Sequence, residues 1–327
     1  MKHVFFAAAL VAAPLSGAAE MRASDGRIPI FRAAADVVAL TLTVVDENAD
    51  HVEGLSLADF VVLEDGIEQA PSFFTASAAP VDITLLVDAS ASMTDKIATA
   101  RDAVRRITRN LRDVDRAAIV AFRETPTAEQ GMTGDRAALD AAIGRIACDG
   151  GTALYTALYI TLSGMDSRPP GDGLRRRAVV VLSDGDDTAS LVGIPDVLEK
   201  AHRVGVAIYA VSLQSPVEHG MLRRVGHTMP VSDGDRALQS LARETGGVAF
   251  FPTEVRALPD VYRGIARELE RQYVIGYTPR EATDEGAWRA VRVRLPAHPR
   301  LTVRTRSGYY AGDGPAFAAS RLDHDRH

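Results

Sequence analysis

Val81-Asp82-Ile83-Thr84-Leu85-Leu86-Val87-Asp88-Ala89-Ser90-Ala91-Ser92-Met93 is an apolar run that ends in an acid and two serines spaced by two. A short run of this kind reads as a buried strand of a parallel sheet. Asp95 to Leu111 follows with Ile97, Ala100, Val104, Ile107 and Leu111 at three- and four-residue steps, the stripe of an amphipathic helix. Asp88, Ser90 and Ser92 therefore sit where a strand hands over to a crossover helix. In open α/β sheets, ligands bind outside that end of the strands.

The same alternation continues downstream. Arg116 to Phe122 reads as a strand, and Asp135 caps a helix with Leu139, Ile143 and Ile146 on one face. Asp149-Gly150-Gly151-Thr152 is a turn that opens a helix over Ala153 to Met165. Pro169 to Gly173 is a loop. Arg177 to Leu182 is a second strongly apolar strand, ending in Ser183-Asp184-Gly185-Asp186-Asp187. Ile194 to Val204 is helical, Val206 to Leu213 a strand, and Asp235 to Thr245 a helix that stops at Gly246-Gly247. Val248 to Phe251 is a short strand and Leu258 to Arg271 a final helix. Strand alternating with helix predicts a doubly wound α/β fold, with a mostly parallel sheet covered on both faces.

The flanks differ. Val38, Leu40, Leu42 and Val44 alternate with smaller or polar residues, Phe60 to Glu64 precedes an Asp65-Gly66 hairpin signal, and Gln69 to Thr75 reads as the returning strand. Near the other end, Gln272 to Thr278, Trp288 to Leu295 and Leu301 to Ser307 also read as strands. Neither set has the apolar surface for its own core, so the N- and C-terminal strands are expected to pair into an accessory β-sandwich. The expected organisation is a signal peptide over 1–19, an N-terminal β segment over 20–79, the α/β domain over 80–271, a C-terminal β segment over 272–311 and a flexible tail over 312–327.

Several classes are excluded or disfavoured. The net charge of −6 in 327 residues is not that of a nucleic-acid binder. The basic run Arg175-Arg176-Arg177 reads as a solvated approach to a strand rather than a phosphate site. Cys148 is the single cysteine, so neither an internal disulfide nor a cysteine-type zinc site can form. His202, His219 and His227 lack a close zinc spacing, and His298, His324 and His327 read as surface residues. Met1-Lys2-His3, the apolar stretch Val4 to Leu15 and the small residues Gly17-Ala18-Ala19 have the anatomy of a signal peptide. The protein is thus expected to be exported, periplasmic or extracellular, with no integral membrane segment after cleavage.

Asp88, Ser90, Ser92, Thr152 and Asp184 bring hydroxyls and carboxylates to one edge of one sheet. An all-oxygen set selects a hard cation, Mg²⁺, Ca²⁺ or Mn²⁺, over zinc or copper. Asp186 and Asp187 read as solvated loop acids, Asp149 as a turn residue, Tyr155 and Tyr159 as packing, and Cys148 as a small buried residue.

Asp88-Ala89-Ser90-Ala91-Ser92 matches the D-x-S-x-S motif of von Willebrand factor type A domains. Gly150-Gly151-Thr152 resembles that family's G-G-T turn, and Leu182-Ser183-Asp184-Gly185 its (L)-T-D-G segment, with serine where threonine is common. The resemblance covers roughly Pro80 to Arg271. It implies a metal-ion-dependent adhesion site in which Ser90 and Ser92 bind the cation directly. Thr152 would bind directly or through water, and Asp88 and Asp184 mainly through water or as outer acceptors. The implied function is a non-enzymatic protein-binding module whose cation grips an Asp or Glu of a partner protein. Two alternatives stand beside it: a metal-assisted hydrolase using the same pocket, and a structural metal with the β region carrying the interaction. The chain lacks G-x-S-x-G, H-E-x-x-H and G-x-x-x-x-G-K-[ST].

Overall fold

The computed structural model describes residues 37–76, 80–165, 175–184, 186–213, 232–252, 258–281 and 284–312, all within one compact unit, Ala35–His327. The expected signal peptide, the segment to residue 36, the loop Pro169 to Gly173, Gly185, His219, His227 and the tail with His324 and His327 lie outside the described residues.

The alternation at the start produces β1 (Val38–Val45), with Leu40 and Leu42 fully buried. Burying each contributes about 1.5–3 kcal/mol relative to exposure. β2 (Val61–Glu64) and β3 (Ile67–Gln69) form a hairpin whose turn residues, Asp65 and Gly66, both take positive φ, 48° and 86°. That is the backbone a two-residue hairpin loop needs, and it explains the Asp-Gly pair. β4 (Pro71–Thr75) does not continue that hairpin: it pairs with a strand of the other sheet. The single return strand expected over Gln69 to Thr75 is therefore two strands that part at Ala70.

The α/β part comprises β5 (Val81–Asp88), α1 (Ile97–Arg109), β6 (Arg116–Phe122), β7 (Pro126–Thr133), α2 (Arg136–Arg145), α3 (Leu154–Ser163), β8 (Arg176–Ser183), α4 (Ile194–Val204), β9 (Ala207–Ser212), α5 (Asp233–Thr245), β10 (Ala249–Phe250) and α6 (Leu258–Glu270). Asp135 caps α2, its carboxylate accepting from the amides of Ala137 and Ala138. Its sheet runs in the order β10-β9-β8-β5-β6-β7. All pairings are parallel except β6 with β7. Buried residues of α1, α2 and α6 fill one face of the sheet, and those of α3, α4 and α5 fill the other. The fold is doubly wound.

β7 was not expected. Its sequence, Pro-Thr-Ala-Glu-Gln-Gly-Met-Thr, has no apolar alternation and is not buried. It is an edge strand, held by β6 through an irregular register.

β11 (Tyr273–Tyr277), β12 (Trp288–Arg294), β13 (Thr302–Arg304) and β14 (Gly308–Tyr310) complete the chain. They pair with the early strands in two four-stranded sheets, β13-β1-β11-β4 and β14-β12-β2-β3. Val38, Leu40, Leu42 and Val44 pack there with Phe60, Val62, Tyr273, Ile275 and Tyr277. Inside that core the buried Glu64 accepts from Tyr277 and Tyr309, each at 2.7 Å, and from Arg289 Nε at 2.9 Å. A buried carboxylate is tolerable only with such a full set of donors.

Candidate functional site

β5 leads to β6 on one side of itself, and the chain then crosses to β8 on the other side. The carboxyl ends of β5 and β8 are therefore a topological switch point, where the neighbouring connections diverge and leave a crevice. Asp88 closes β5, and Ser183 closes β8 with Asp184 next.

Hydrogen bonds draw the separate motifs together. Ser183 Oγ donates to Asp88 Oδ2 at 2.6 Å, and the Ser90 amide donates to Asp88 Oδ1 at 2.9 Å. The Ser90 and Ser92 hydroxyls lie 3.0 Å apart. Ala91 N donates to Gly150 O at 3.0 Å and Asp149 N to Ala89 O at 2.9 Å, which sets the Gly150-Gly151-Thr152 turn against the serine loop. Gly150 takes φ +68°, a conformation that L side chains rarely adopt. Asp88, Ser90, Thr152 and Asp184 are buried, whereas Ser92 is exposed. The cluster is closed beneath and reaches solvent at Ser92.

Charge is concentrated here. Burial pushes the Asp88 carboxyl above its ordinary range; the charge of Asp184 adds to this, and the bonds from Ser183 and Ser90 oppose it. Asp184 Oδ2 accepts from Lys96 Nζ at 3.3 Å, while its Oδ1 is buried without a hydrogen-bond partner. A buried acceptor of this kind calls for a donor or a cation. Among the described residues, no group of three or more His, Cys, Asp or Glu side chains converges to hold a metal. A cation here would depend on the serine and threonine hydroxyls, and the donor set suits a hard, oxygen-preferring ion.

Sequence reasoning missed three features. Lys96 is one; nothing in its spacing marks it as a partner of Asp184. A second is the part played by Ser183, which orients Asp88 although it is not expected as a ligand. The third is the loop after β8. Thr188 Oγ1 accepts from Thr152 N at 3.1 Å, and Thr188 N donates to Thr152 O at 2.8 Å. Ser190 Oγ accepts from Thr156 N at 3.0 Å and donates to Asp187 Oδ1 at 2.5 Å. Asp187 is thus a partly buried staple holding this loop on the start of α3, not a solvated acid, whereas Asp186 is exposed. Leu191 stands 91% exposed at the tip, its amide donating to Thr156 Oγ1 at 2.8 Å. Tyr155 packs against the core beneath α3, but Tyr159 faces outward. Cys148 is partly buried, and burial raises its thiol pKa.

The von Willebrand factor type A domain family matches residues 83–186. UPF0353 proteins of Mycolicibacterium paratuberculosis and Mycolicibacterium vanbaalenii are 26% and 25% identical over 209 and 215 residues, in each case 59% of this chain. The chain spans 62% of the length of these curated relatives. Among solved structures, a von Willebrand factor type A protein from Catenulispora acidiphila covers 86% of this chain and 75% of its own, at 16% identity and a TM-score of 0.48. An aerotolerance-related membrane protein from Bacteroides fragilis covers 58% of this chain and 98% of its own, at 18% identity and a TM-score of 0.46.

Proposed function

We propose, from the match of residues 83–186 to the von Willebrand factor type A domain family, an exported, non-catalytic binding module that holds one divalent cation and grips an aspartate or glutamate of a partner protein. Mg²⁺ is the first choice, with Ca²⁺ or Mn²⁺ as substitutes. Ser90 and Ser92 would bind the ion directly, Thr152 directly or through water, and Asp88 and Asp184 through water or by orienting the hydroxyls. The observation that carries this reading is the partnerless Asp184 Oδ1, buried beside a cluster whose two serine hydroxyls lie 3.0 Å apart.

The chemistry favours binding. Mg²⁺ takes six oxygens at ~2.0–2.1 Å and gives up water reluctantly. Neutral hydroxyl ligands leave its charge poorly compensated, so it remains open to a carboxylate from outside. A hydrolase would also need a base to activate water. Of the described histidines, His202 is bonded to Glu244 O and His298 to Asp59, and His51 sits in a backbone bridge to Val45 of β1, in the β part of the chain. Export rests on the signal-like start, and among the described residues no helix is long and apolar enough to cross a membrane.

The test is capture from the host's envelope and secreted fractions on the immobilised chain. A partner retained in Mg²⁺, released by EDTA and absent from the Ser90→Ala column supports the reading. A partner retained equally after EDTA moves the interaction to the β region and contradicts it.

A further inference from the structure

Away from the candidate site, a cavity of about 80 Å³ lies where the amino-terminal ends of β8 and β9 face β1 and β11. On the measure in which one water needs ~10–15 Å³, it has room for several waters or one tetrahedral oxyanion. Its charged lining is one-sided. Arg175, Arg176, Arg177 and Arg306 line it, with His202, and no Asp or Glu among the described residues does.

These arginines are not equivalent. Arg175 is held by Asp82 at 2.7 Å, and Arg177 donates to the carbonyls of Met165 and Val204. Arg176 is only 6% exposed, contrary to the solvated strand approach its sequence suggested, and its Nη1 donates to Gln272 Oε1 at 3.0 Å. Arg306 Nη2 donates to Ala39 O at 3.2 Å, its Cζ lies 5.2 Å from the Tyr309 ring centre, and its Nε is buried without a hydrogen-bond partner. Burial brings the Arg176 pKa down to about 10 and lowers that of Arg306. The acids whose field reaches Arg176, Asp115 and Glu270, are not part of the lining.

We infer that this cavity is a binding site for a small inorganic oxyanion, phosphate or sulfate, held between Arg176 and Arg306. Planar guanidinium groups match tetrahedral oxyanions through paired N–H donors. Arg306 Nε, a buried donor without a hydrogen-bond partner, would gain one from the anion and so recover what burial takes away. Thr41 adds a hydroxyl-bearing residue to the same wall, while Gln272, bonded to Arg176, Thr43 and Tyr209, fixes the Arg176 guanidinium in place. The site lies at the opposite end of β8 from Ser183, roughly 23 Å away at ~3.3 Å per residue. The anion would therefore brace the α/β part against the β-sandwich without entering the candidate metal cluster.

The test is isothermal titration of the full chain with sodium phosphate and sodium sulfate, at ionic strength fixed with chloride. The expected result is one saturable site per chain, with affinity falling at least tenfold in Arg306→Gln and in Arg176→Gln. Ala39→Leu fills the cavity from β1 while keeping every arginine, and it too should abolish binding. Circular dichroism and thermal unfolding verify that each variant is folded. Phenyl phosphate separates the sources: exclusion marks a site for the inorganic ion, and binding extends it to phosphate monoesters. No saturable heat in the wild-type chain, or equal affinity in Arg306→Gln and Ala39→Leu, overturns the inference.

Discussion

Ser183 Oγ donates to Asp88 Oδ2 across 2.6 Å, tying together the ends of β8 and β5 from positions 95 residues apart. Asp88 is fully buried, so each donor to it counts. Ser183→Ala is expected to destabilise the chain by about 1–2 kcal/mol. It should also weaken divalent-cation binding roughly tenfold, the usual effect of losing a residue that orients a metal site. Urea unfolding and calorimetric titration with Mg²⁺ read the two effects, and Ser183→Thr, which keeps the hydroxyl, should restore both.

Lys96 sets its ammonium 3.3 Å from Asp184 Oδ2. It occupies the neighbourhood a divalent cation would use, and like charges repel there. Lys96→Met is expected to tighten Mg²⁺ binding roughly three- to tenfold, a modest gain because the Lys96 side chain is 22% exposed. Weaker binding in this variant would mean that Lys96 positions Asp184 instead of competing at it.

Asp82 joins the start of β5 to Arg116 on β6 and to Arg175 before β8, each at 2.7 Å. Burial pushes its pKa up, but the hydrogen bonds and charges of Arg116 and Arg175 outweigh this, so the net shift is downward. A depressed folded pKa means that the stabilisation is fully present above the unfolded value of ~3.9 and is lost as pH falls through the folded value. Asp82→Asn should therefore cost about 2 kcal/mol at pH 7. The gap to the wild-type chain should close below about pH 4. Thermal unfolding from pH 7 to pH 3 measures both.

Gly247 follows α5 where the chain passes against β9. A Cβ there would lie 2.0 Å from the Ile208 carbonyl oxygen, a backbone atom with no freedom to swing aside. Gly247→Ala is expected to destabilise by about 3 kcal/mol, at the upper end of overpacking effects. Unfolding in guanidinium checks it, and the cation affinity of the folded fraction should be unchanged.

Elements with a strong local signature were legible in the sequence. β5 and β8 are continuous apolar runs because both faces are covered, and Asp135 announces α2 by a capping bond made within its own turn. Gly246 ends α5 with φ +87°, the left-handed backbone glycine adopts most readily. Features that rest on long-range contacts were not legible. β7 is polar and forms only because the edge of β6 offers hydrogen bonds. Asp187 and Ser190 hold amides at the start of a helix more than thirty positions earlier, which no spacing reveals. Arg176 stands in a basic run that looks solvated, yet it starts a central strand beneath the sandwich. For the candidate site, the sequence marked the oxygen donors but not the groups that orient or oppose them, Ser183 and Lys96.

The central claim is a cation held by hydroxyls from separate loops, and calorimetric titration of the metal-free chain with Mg²⁺ and Mn²⁺ tests it most directly. The account predicts one saturable site in the wild-type chain, lost in Ser90→Ala and in Asp184→Ala while both variants keep the wild-type circular dichroism spectrum. An absence of saturable binding in the folded wild-type chain, or the same affinity in both variants, would contradict it.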